Sequence, residues 1–545
     1  MSVLQVNPRT RTEILLLVAF CGFLFFYGLG AVGLVGADEP RYAQTAREMR
    51  ERSDWITPTL LGKPWLEKPV LYYWEAMVAY EFGQTFLDLK DGVSDRTARL
   101  PGAVDATLMI AAIYFFLRRR RPGTEVDGAL ITAGCAGVIG FTRAASTDMP
   151  LAAAFTVALL GWYDWHESRR RGGLAVCYVF LALGMLAKGP VAPALAAVIV
   201  LIFAAVKREW SILHRTLWLP GIAMFLVVGM AWYIAVQARN PDFFHFFFLE
   251  HNLARFTTTV YHHPQPFWFF VPVFLLAMMP WSLWLIALVA EHVRTIWREG
   301  RAAFASPEDS WALFLLIWML VPVLFFSASQ SKLPGYILPA VPAGALLVSE
   351  YLAARREEKV RISWLFAAGH GIVCGALVFG ALSAASIARG RHLAMGKGTY
   401  VAVAIAGLLA VAIGGTLATQ RGMRLLRSAT MVAVIVSVAA VIRLAAPAID
   451  DTQSPRPVAE AIQAFSHEPV PVALYHVSRV EEYGLNFYLN RATQKYENGD
   501  VPAEAHVLVA AANTEAEFRT LLGGRKVSYL TSIPEQKLEV YWVGK

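Results

Sequence analysis

The sequence predicts an all-α polytopic transmembrane bundle of about 13 helices, followed by a small C-terminal α/β domain outside the membrane. Three observations predict it. Of the 545 residues, 56% are hydrophobic and 17% are charged, where an ordinary soluble domain carries about 25% charged residues. Apolar runs of roughly 18 or more residues, each long enough to cross about 30 Å of hydrocarbon as a helix, recur from Thr12 to Leu444. From Ala445 to Lys545 the composition changes to that of a soluble domain.

The first run, Ile14 to Val35, follows Arg9 and Arg11; it is too long for a signal-peptide core and lacks a small-x-small cleavage site, so it reads as a retained helix. Further spans are predicted near 98–117, 126–142, 148–166, 172–187, 190–206, 217–237, 266–290, 309–328, 334–352, 363–386, 398–417 and 427–446. Basic clusters fall on alternate loops: Arg118 to Arg121, Arg169 to Arg171, Lys207 with Arg208, Arg294 with Arg298 and Arg301, Arg355 with Arg356 and Arg361, and Arg421 with Arg424 and Arg427. By the positive-inside rule that side is the cytoplasm. An odd number of spans then puts the tail on the extracytoplasmic face, dividing the chain into 1–446, the membrane part, and 447–545, the α/β domain. In the tail, strand-like runs at Pro471–Val477, Ala505–Ala511 and Leu538–Val543 alternate with helix-like stretches at Pro457–Phe465, Glu481–Leu489 and Glu515–Leu522. The first outer loop, about 36–97, carries charges and aromatics and is expected to lie along the membrane surface. The net charge of +8 resides in the topology-setting clusters, which excludes nucleic acid as the partner. Cys21, Cys135, Cys177 and Cys374 all lie inside apolar runs and read as packing residues.

Charges away from the cytoplasmic clusters collect on the opposite face, at the ends of many helices, and a charge near membrane depth tends to mark a functional cavity. The set includes Asp38, Glu39, Arg41, Tyr42, Glu67, Lys68, Arg143, Asp148, Lys188, His251, Arg255, Lys332 and Tyr336. Asp38 and Glu39 precede Pro40 and read either as a capping pair or, for Asp38, as a general base or cation stabiliser. Asp148 has the same two readings, N-cap acid or site residue. Lys68, Lys188 and Lys332 each sit beside Pro or Gly at the outer end of an apolar run. Each alone could snorkel to the interface; together with Arg255, on the face where basic residues are disfavoured, they form a set able to neutralise a phosphate. Glu67 with His251 could hold a divalent metal such as zinc, without any two-ligand spacing of the H-E-x-x-H kind, and no cofactor is certain. Walker and Ser-His-Asp patterns are lacking, so nucleotide-driven transport has no support in the sequence.

These residues carry a resemblance. Gly36-Ala37-Asp38-Glu39-Pro40-Arg41-Tyr42-Ala43 and the stretch from Gly62 through Trp65-Leu66-Glu67-Lys68-Pro69 to Trp74 resemble the first outer loop of the aminoarabinose (4-amino-4-deoxy-L-arabinose) lipid A transferases. These are polyprenyl-phosphate-dependent membrane glycosyltransferases related to protein O-mannosyltransferases. Arg143 to Pro150, Lys188-Gly189-Pro190, His251 to Phe256 and Lys332 to Pro339 are similar as well, so the resemblance runs over most of the membrane part and stops short of the tail. It implies the C-type membrane glycosyltransferase fold. It also implies transfer of a sugar from undecaprenyl phosphate to a lipid A phosphate at the periplasmic face of the bacterial inner membrane. That modification of lipopolysaccharide confers resistance to cationic peptides such as polymyxin. The family's acidic residue after the first span maps to Asp38 and its phosphate-binding loop lysine to Lys68, with Arg41, Tyr42, Lys188, Arg255, Lys332 and Tyr336 as further substrate-binding candidates and Asp148 as a second catalytic acid. The sugar is open between aminoarabinose, another pentose and a hexose. The alternatives are an O-mannosyltransferase-like or other polyprenyl-phosphate sugar transferase and, in a different class, a polyprenyl-lipid flippase, which would place polar groups through the membrane midplane.

Overall fold

The computed structural model describes residues 7–253, 265–299, 310–390, 397–465 and 470–545. Helix α1 (Pro8–Cys21) starts with proline in its first turn and an Asn7 side chain accepting from the Arg9 amide at 3.1 Å, then widens into a π-turn over Gly22–Phe26. It therefore begins and ends before the run predicted from hydropathy. The stop is local: Gly28 adopts φ +62°, and the Arg143 side chain takes up the carbonyls of Leu24, Tyr27 and Gly28 at 3.0, 2.9 and 2.7 Å, which a continued helix would have bonded itself.

The outer loop is ordered. Helix α2 (Asp38–Glu51), a short hairpin of β1 (Thr59–Leu60) and β2 (Lys63–Pro64), and α3 (Leu71–Phe86) precede the long α4 (Asp95–Arg120), which opens with a Ser94/Thr97 capping box. The membrane part continues with α5 (Glu125–Ala133), α6 (Ala136–Thr142), α7 (Asp148–Ser168), α8 (Arg171–Lys188), α9 (Val191–Lys207), α10 (Leu219–Arg239), α11 (Phe270–Ala277), α12 (Ser282–Glu299), α13 (Ser310–Ala328), α14 (Val341–Glu357), α15 (Trp364–Ala388), α16 (Lys397–Ala418) and α17 (Gly422–Gln453). Among the described residues eight helices are long and apolar enough to cross a membrane, or nine if the bent pair α5–α6 is one span. The protein is thus a multi-pass membrane protein.

Two predicted spans are broken helices. The run 126–142 bends by 61° between α5 and α6, and 266–290 is interrupted between α11 and α12. The two breaks meet: the Ala136 amide donates to the Met279 carbonyl at 2.9 Å, and a Cβ on Gly137 would lie 2.7 Å from that of Ala277. Backbone groups freed by one break are satisfied by the other, as a low-dielectric interior requires. All four cysteines are free and buried.

The tail forms a five-stranded mixed sheet in the order β4-β3-β5-β7-β6, built from β3 (Val472–Tyr475), β4 (Gln494–Lys495), β5 (His506–Ala511), β6 (Val527–Ile533) and β7 (Leu538–Val543). Strict alternation sends Val472, Leu474, Val507 and Val509 to one face against Val458 and Ile462 of α18 (Arg456–Phe465), with Leu485 of α19 (Arg479–Leu489). Ala473, Leu508 and Ala510 go to the other, against Phe518 of α20 (Glu515–Leu521). Every strand and helix expected in the tail is present. Strands β4 and β6, which pair at the two edges of the sheet, were not expected. The sheet domain is seated on the outer loop: Arg47 of α2 donates to the Phe487 carbonyl at 2.7 Å, and Arg456 pairs with Asp95 at 3.0 Å.

Candidate active site

Adjacent acids at the start of α2 point to different ends. Glu39 is buried, accepts the Val35 and Ala145 amides at 2.8 Å each, and pairs with Arg99 at 2.6 Å. It clamps α2 to α4 and to the segment before α7. Asp38 makes no side-chain cap; its carboxylate, about half exposed, pairs with Arg41 one turn on. Of the two readings of this pair, capping falls to neither acid.

Arg41 is buried and enclosed by rings: its guanidinium lies 5.0 Å from the centroid of Trp65, 5.4 Å from Tyr483 and 5.7 Å from Tyr42. Burial alone would weaken its charge, but Asp38, then Tyr42, Glu67 and Tyr483, hold the guanidinium above its ordinary pKa. Burial, followed by the charge of Asp38, pushes the Tyr42 phenol well above its usual range, so it remains a neutral O–H group. Trp65, Glu67 and Lys68 are brought here by the hairpin, which Glu48 of α2 holds by accepting the Thr59 hydroxyl at 2.7 Å and the Leu61 amide at 2.7 Å.

On the opposite wall, Asp148 opens α7 and pairs with Lys188, the last residue of α8, whose ammonium sits 4.7 Å over the Tyr336 ring. Gly335 is needed beside them, since a Cβ there would lie 2.8 Å from the Asp148 carboxyl carbon. A hollow of about 80 Å³ results, lined by Asp38, Arg41, Tyr42, Glu67, Lys68, Asp148, Lys188 and Tyr336, with Ser146, Thr147 and Leu333. Eight sequence-predicted site residues from separate outer helix ends and loops thus share one cavity. Lys332 does not join them: it is buried with its ammonium donating to the Ser329 carbonyl and, at 3.1 Å, to that of Gln265. Arg143 serves the end of the first helix instead. Arg255 and the side chain of His251 lie outside the described residues.

Sequence reasoning missed Tyr483, which reaches Arg41 from the tail and carries no local signal of doing so. Ser146 and Thr147 lie within a stretch already singled out but were not assigned a role. Chemically, the hollow presents two lysines and a caged arginine beside three carboxylates, a set suited to holding a phosphate while an acid faces a neighbouring centre.

A family model described as dolichyl-phosphate-mannose-protein mannosyltransferase matches residues 75–234. Undecaprenyl phosphate-alpha-4-amino-4-deoxy-L-arabinose arabinosyl transferase of Pseudomonas aeruginosa is 32% identical over 355 residues, covering 64% of this chain and 60% of that relative. The protein of the same name from Serratia proteamaculans is 29% identical over 370 residues, 66% of this chain and 63% of its own length. The chain thus spans about 60% of the length of the curated relatives it matches. The crystal structure of ArnT from Cupriavidus metallidurans bound to undecaprenyl phosphate superposes with a TM-score of 0.76 over 97% of this chain and 98% of that one, at 20% identity. Its apo form gives 0.73. Over about 64% of its length the chain is similar in sequence to the aminoarabinose transferases, and it shares the fold of the ArnT crystal structure, the similarity its motifs indicated.

Proposed function

We propose that the protein is an integral-membrane glycosyltransferase that moves 4-amino-4-deoxy-L-arabinose from undecaprenyl phosphate to a lipid A phosphate at the periplasmic face of the inner membrane, and so confers polymyxin resistance. The observation that carries this reading is the convergence of Asp38, Lys68, Asp148 and Lys188 on one polar hollow from an outer loop and separate helix ends. About 80 Å³ accommodates a phosphate group, not a whole lipid donor, so the sugar lies toward the mouth, where Asp38 is exposed. Lys68 and Lys188 neutralise the phosphate dianion that develops as the glycosidic bond breaks, the electrostatic contribution that grows toward the transition state. Lys188 shares its charge with Asp148, and Lys68 meets the leaving group from the opposite wall. A lipid A phosphate is already ionised near pH 7, so Asp38 positions the acceptor or stabilises positive charge at the anomeric carbon and need not remove a proton. Arg41, fixed by its cage, holds Asp38 for that task.

The same proposal assigns thirteen spans, a cytoplasmic N-terminus, periplasmic segments 36–97 and 447–545, and a division into membrane and tail domains at 446/447. It is supported by the placement of Asp148, Lys188 and Asp38 at one end of the bundle and of the arginine clusters at the other ends of α4 and α7. A divalent metal on Glu67 and His251 belongs to the proposal as well. Each step above uses protein side chains, and the metal would sit beside them at Glu67.

The deciding experiment incubates purified protein with labelled undecaprenyl-phosphate aminoarabinose and lipid A and identifies products by mass spectrometry. Sugar-modified lipid A is expected, and its absence with that donor alongside transfer from a hexose donor would overturn the substrate assignment. Labelling of an engineered cysteine near residue 500 without inner-membrane permeabilisation is expected; labelling only after permeabilisation would overturn the topology.

A further inference from the structure

A second, larger hollow of about 500 Å³ lies far from the one containing Asp38, lined among others by Arg121, Tyr163, His166, Arg169, Lys207 and Ser310. These residues come from the far end of α4, α7 and α9 and from the start of α13. Helix α7 runs from Asp148 in the first hollow to His166 and Glu167 in the second; its 21 residues at 1.5 Å each separate the two by about 30 Å, the thickness of a hydrocarbon core. The second hollow therefore sits at headgroup depth on the opposite face.

Its charges do not cancel. Arg121 is taken by Glu167 and lies over the Trp311 ring at 5.7 Å. Arg169 and Lys207 have no ion-pair partner among the described residues, and Glu209 is the remaining acid of the lining. The sum over Arg121, Arg169, Lys207, Glu167 and Glu209 is one positive charge. Arg169 also holds a backbone position that favours glycine, φ +59° at the C-terminus of α7, where its guanidinium lies 5.4 Å from the Trp165 ring. The wall is polar at a buried level too: His166 is stacked on Trp162 at 5.5 Å and 9°, and its Nδ1 is buried with no hydrogen-bond partner among the described residues. Simple positive-inside bias accounts for cations on this face, but not for a cavity of this size that gathers them over an aromatic wall.

We propose that this hollow binds a phosphate group, supplied by the monoanionic phosphodiester headgroup of a membrane lipid, as a site separate from the transferase pocket. Arg169 supplies a planar fork for two phosphate oxygens and Lys207 a point charge. Anionic headgroups are abundant on that side of a membrane and draw cations to the surface.

The test places the full-length protein in phosphatidylcholine nanodiscs with and without phosphatidylglycerol, and reads retained lipid by native mass spectrometry together with melting temperature. Phosphatidylglycerol is expected to be retained in preference and to raise Tm. Arg169→Gln and Lys207→Gln should each weaken retention about tenfold, as loss of one charged hydrogen bond implies. Lys207→Arg should keep most of it, and Arg208→Gln, next in sequence but outside the hollow, should change little. In a parallel arm, inorganic phosphate alone raising the Tm of wild type and not of the Arg169→Gln/Lys207→Gln protein would support the phosphate site with a soluble source. Equal retention of both lipids with no effect of phosphate would overturn the proposal. So would equal losses in Arg208→Gln and Lys207→Gln, which would mean diffuse surface attraction. Transfer activity at the far pocket should be unchanged in every variant.

Discussion

Replacing Glu39 by glutamine tests whether neighbouring acids divide structure from chemistry. Glu39 and Arg99 have side chains only 8% and 5% exposed, and the carboxylate satisfies four donors: Nε and an Nη of Arg99 and the amides of Val35 and Ala145. Glutamine keeps the shape but removes the charge and turns one acceptor into a donor, so at least one amide loses its bond and Arg99 stays charged in a buried place. Breaking a buried pair from one side costs about 3–5 kcal/mol. The lower end applies here, because Arg99 also donates to the carbonyls of Leu29, Val32 and Gly33 at 3.2, 2.6 and 2.8 Å. About 3 kcal/mol is a factor of roughly a hundred in the folding equilibrium. Thermal unfolding in detergent should show a clearly lowered Tm for Glu39→Gln, with part of the loss recovered in Glu39→Gln/Arg99→Met, where no orphan charge remains. Asp38→Asn should behave in the opposite way: the Asp38 carboxylate is about half exposed and asparagine keeps a polar partner for Arg41, which retains its cage of three rings, so Tm stays near wild type while turnover falls strongly. A stable Glu39→Gln protein, or an unstable Asp38→Asn one, would refute this division.

Lys68→Ala should lower turnover even at saturating donor, and Lys68→Arg should restore only part of it, since a planar fork replaces a compact charge; full activity of Lys68→Arg with Lys68→Ala impaired only in proportion to lost folded protein would return Lys68 to a snorkelling role. Tyr483→Ala removes a cation–π contact of about 1–2 kcal/mol from Arg41 and should slow transfer about tenfold in steady-state assays with Tm of the membrane part unchanged, whereas Tyr483→Phe should be near normal. In the tail, His506 is buried, with Nδ1 on the Glu504 carbonyl at 2.8 Å and Nε2 against the Tyr496 hydroxyl, and burial lowers its pKa. A base whose folded pKa is depressed leaves the unfolded chain to bind the extra proton, so tail stability should be full above about pH 6.5 and decline as pH falls from there. His506→Gln should flatten that slope in pH-dependent melting of the tail, and an unchanged slope would contradict the assignment.

The membrane helices were legible because burial in lipid demands long apolar runs, and the tail because strand alternation and helix periodicity survive there in short segments. Helix breaks at Gly28, between α5 and α6, and between α11 and α12 were not legible, because they depend on partners such as Arg143 and Met279 that are distant in sequence. The site was readable wherever a charge stood at an outer helix end, since few structural reasons place Lys68, Asp148 or Lys188 there. It was unreadable where adjacent residues separate by direction, as Asp38 and Glu39 do, or where a lysine at such an end turns inward to carbonyls, as Lys332 does. Edge strand β6 escaped because it does not alternate: Tyr529 and Leu530 are adjacent, as are Thr531 and Ser532, and its pairing shifts register between Tyr529 and Thr531.

The seating of the tail on α2 bears on the order in which the molecule is made. Arg47 and Phe487 are 440 positions apart, and Arg41 meets Tyr483 over a comparable interval. During synthesis the first loop emerges early, with Asp38, Arg41 and Lys68 already present, while the ring that closes the arginine cage comes only after the last apolar helix has been made. Contacts over such an interval form late, once the loop between them has been ordered. A nascent or truncated chain that ends before Tyr483 consequently carries every candidate catalytic side chain and still has an open cage. The arginine cage is therefore complete only in a chain that extends through Tyr483.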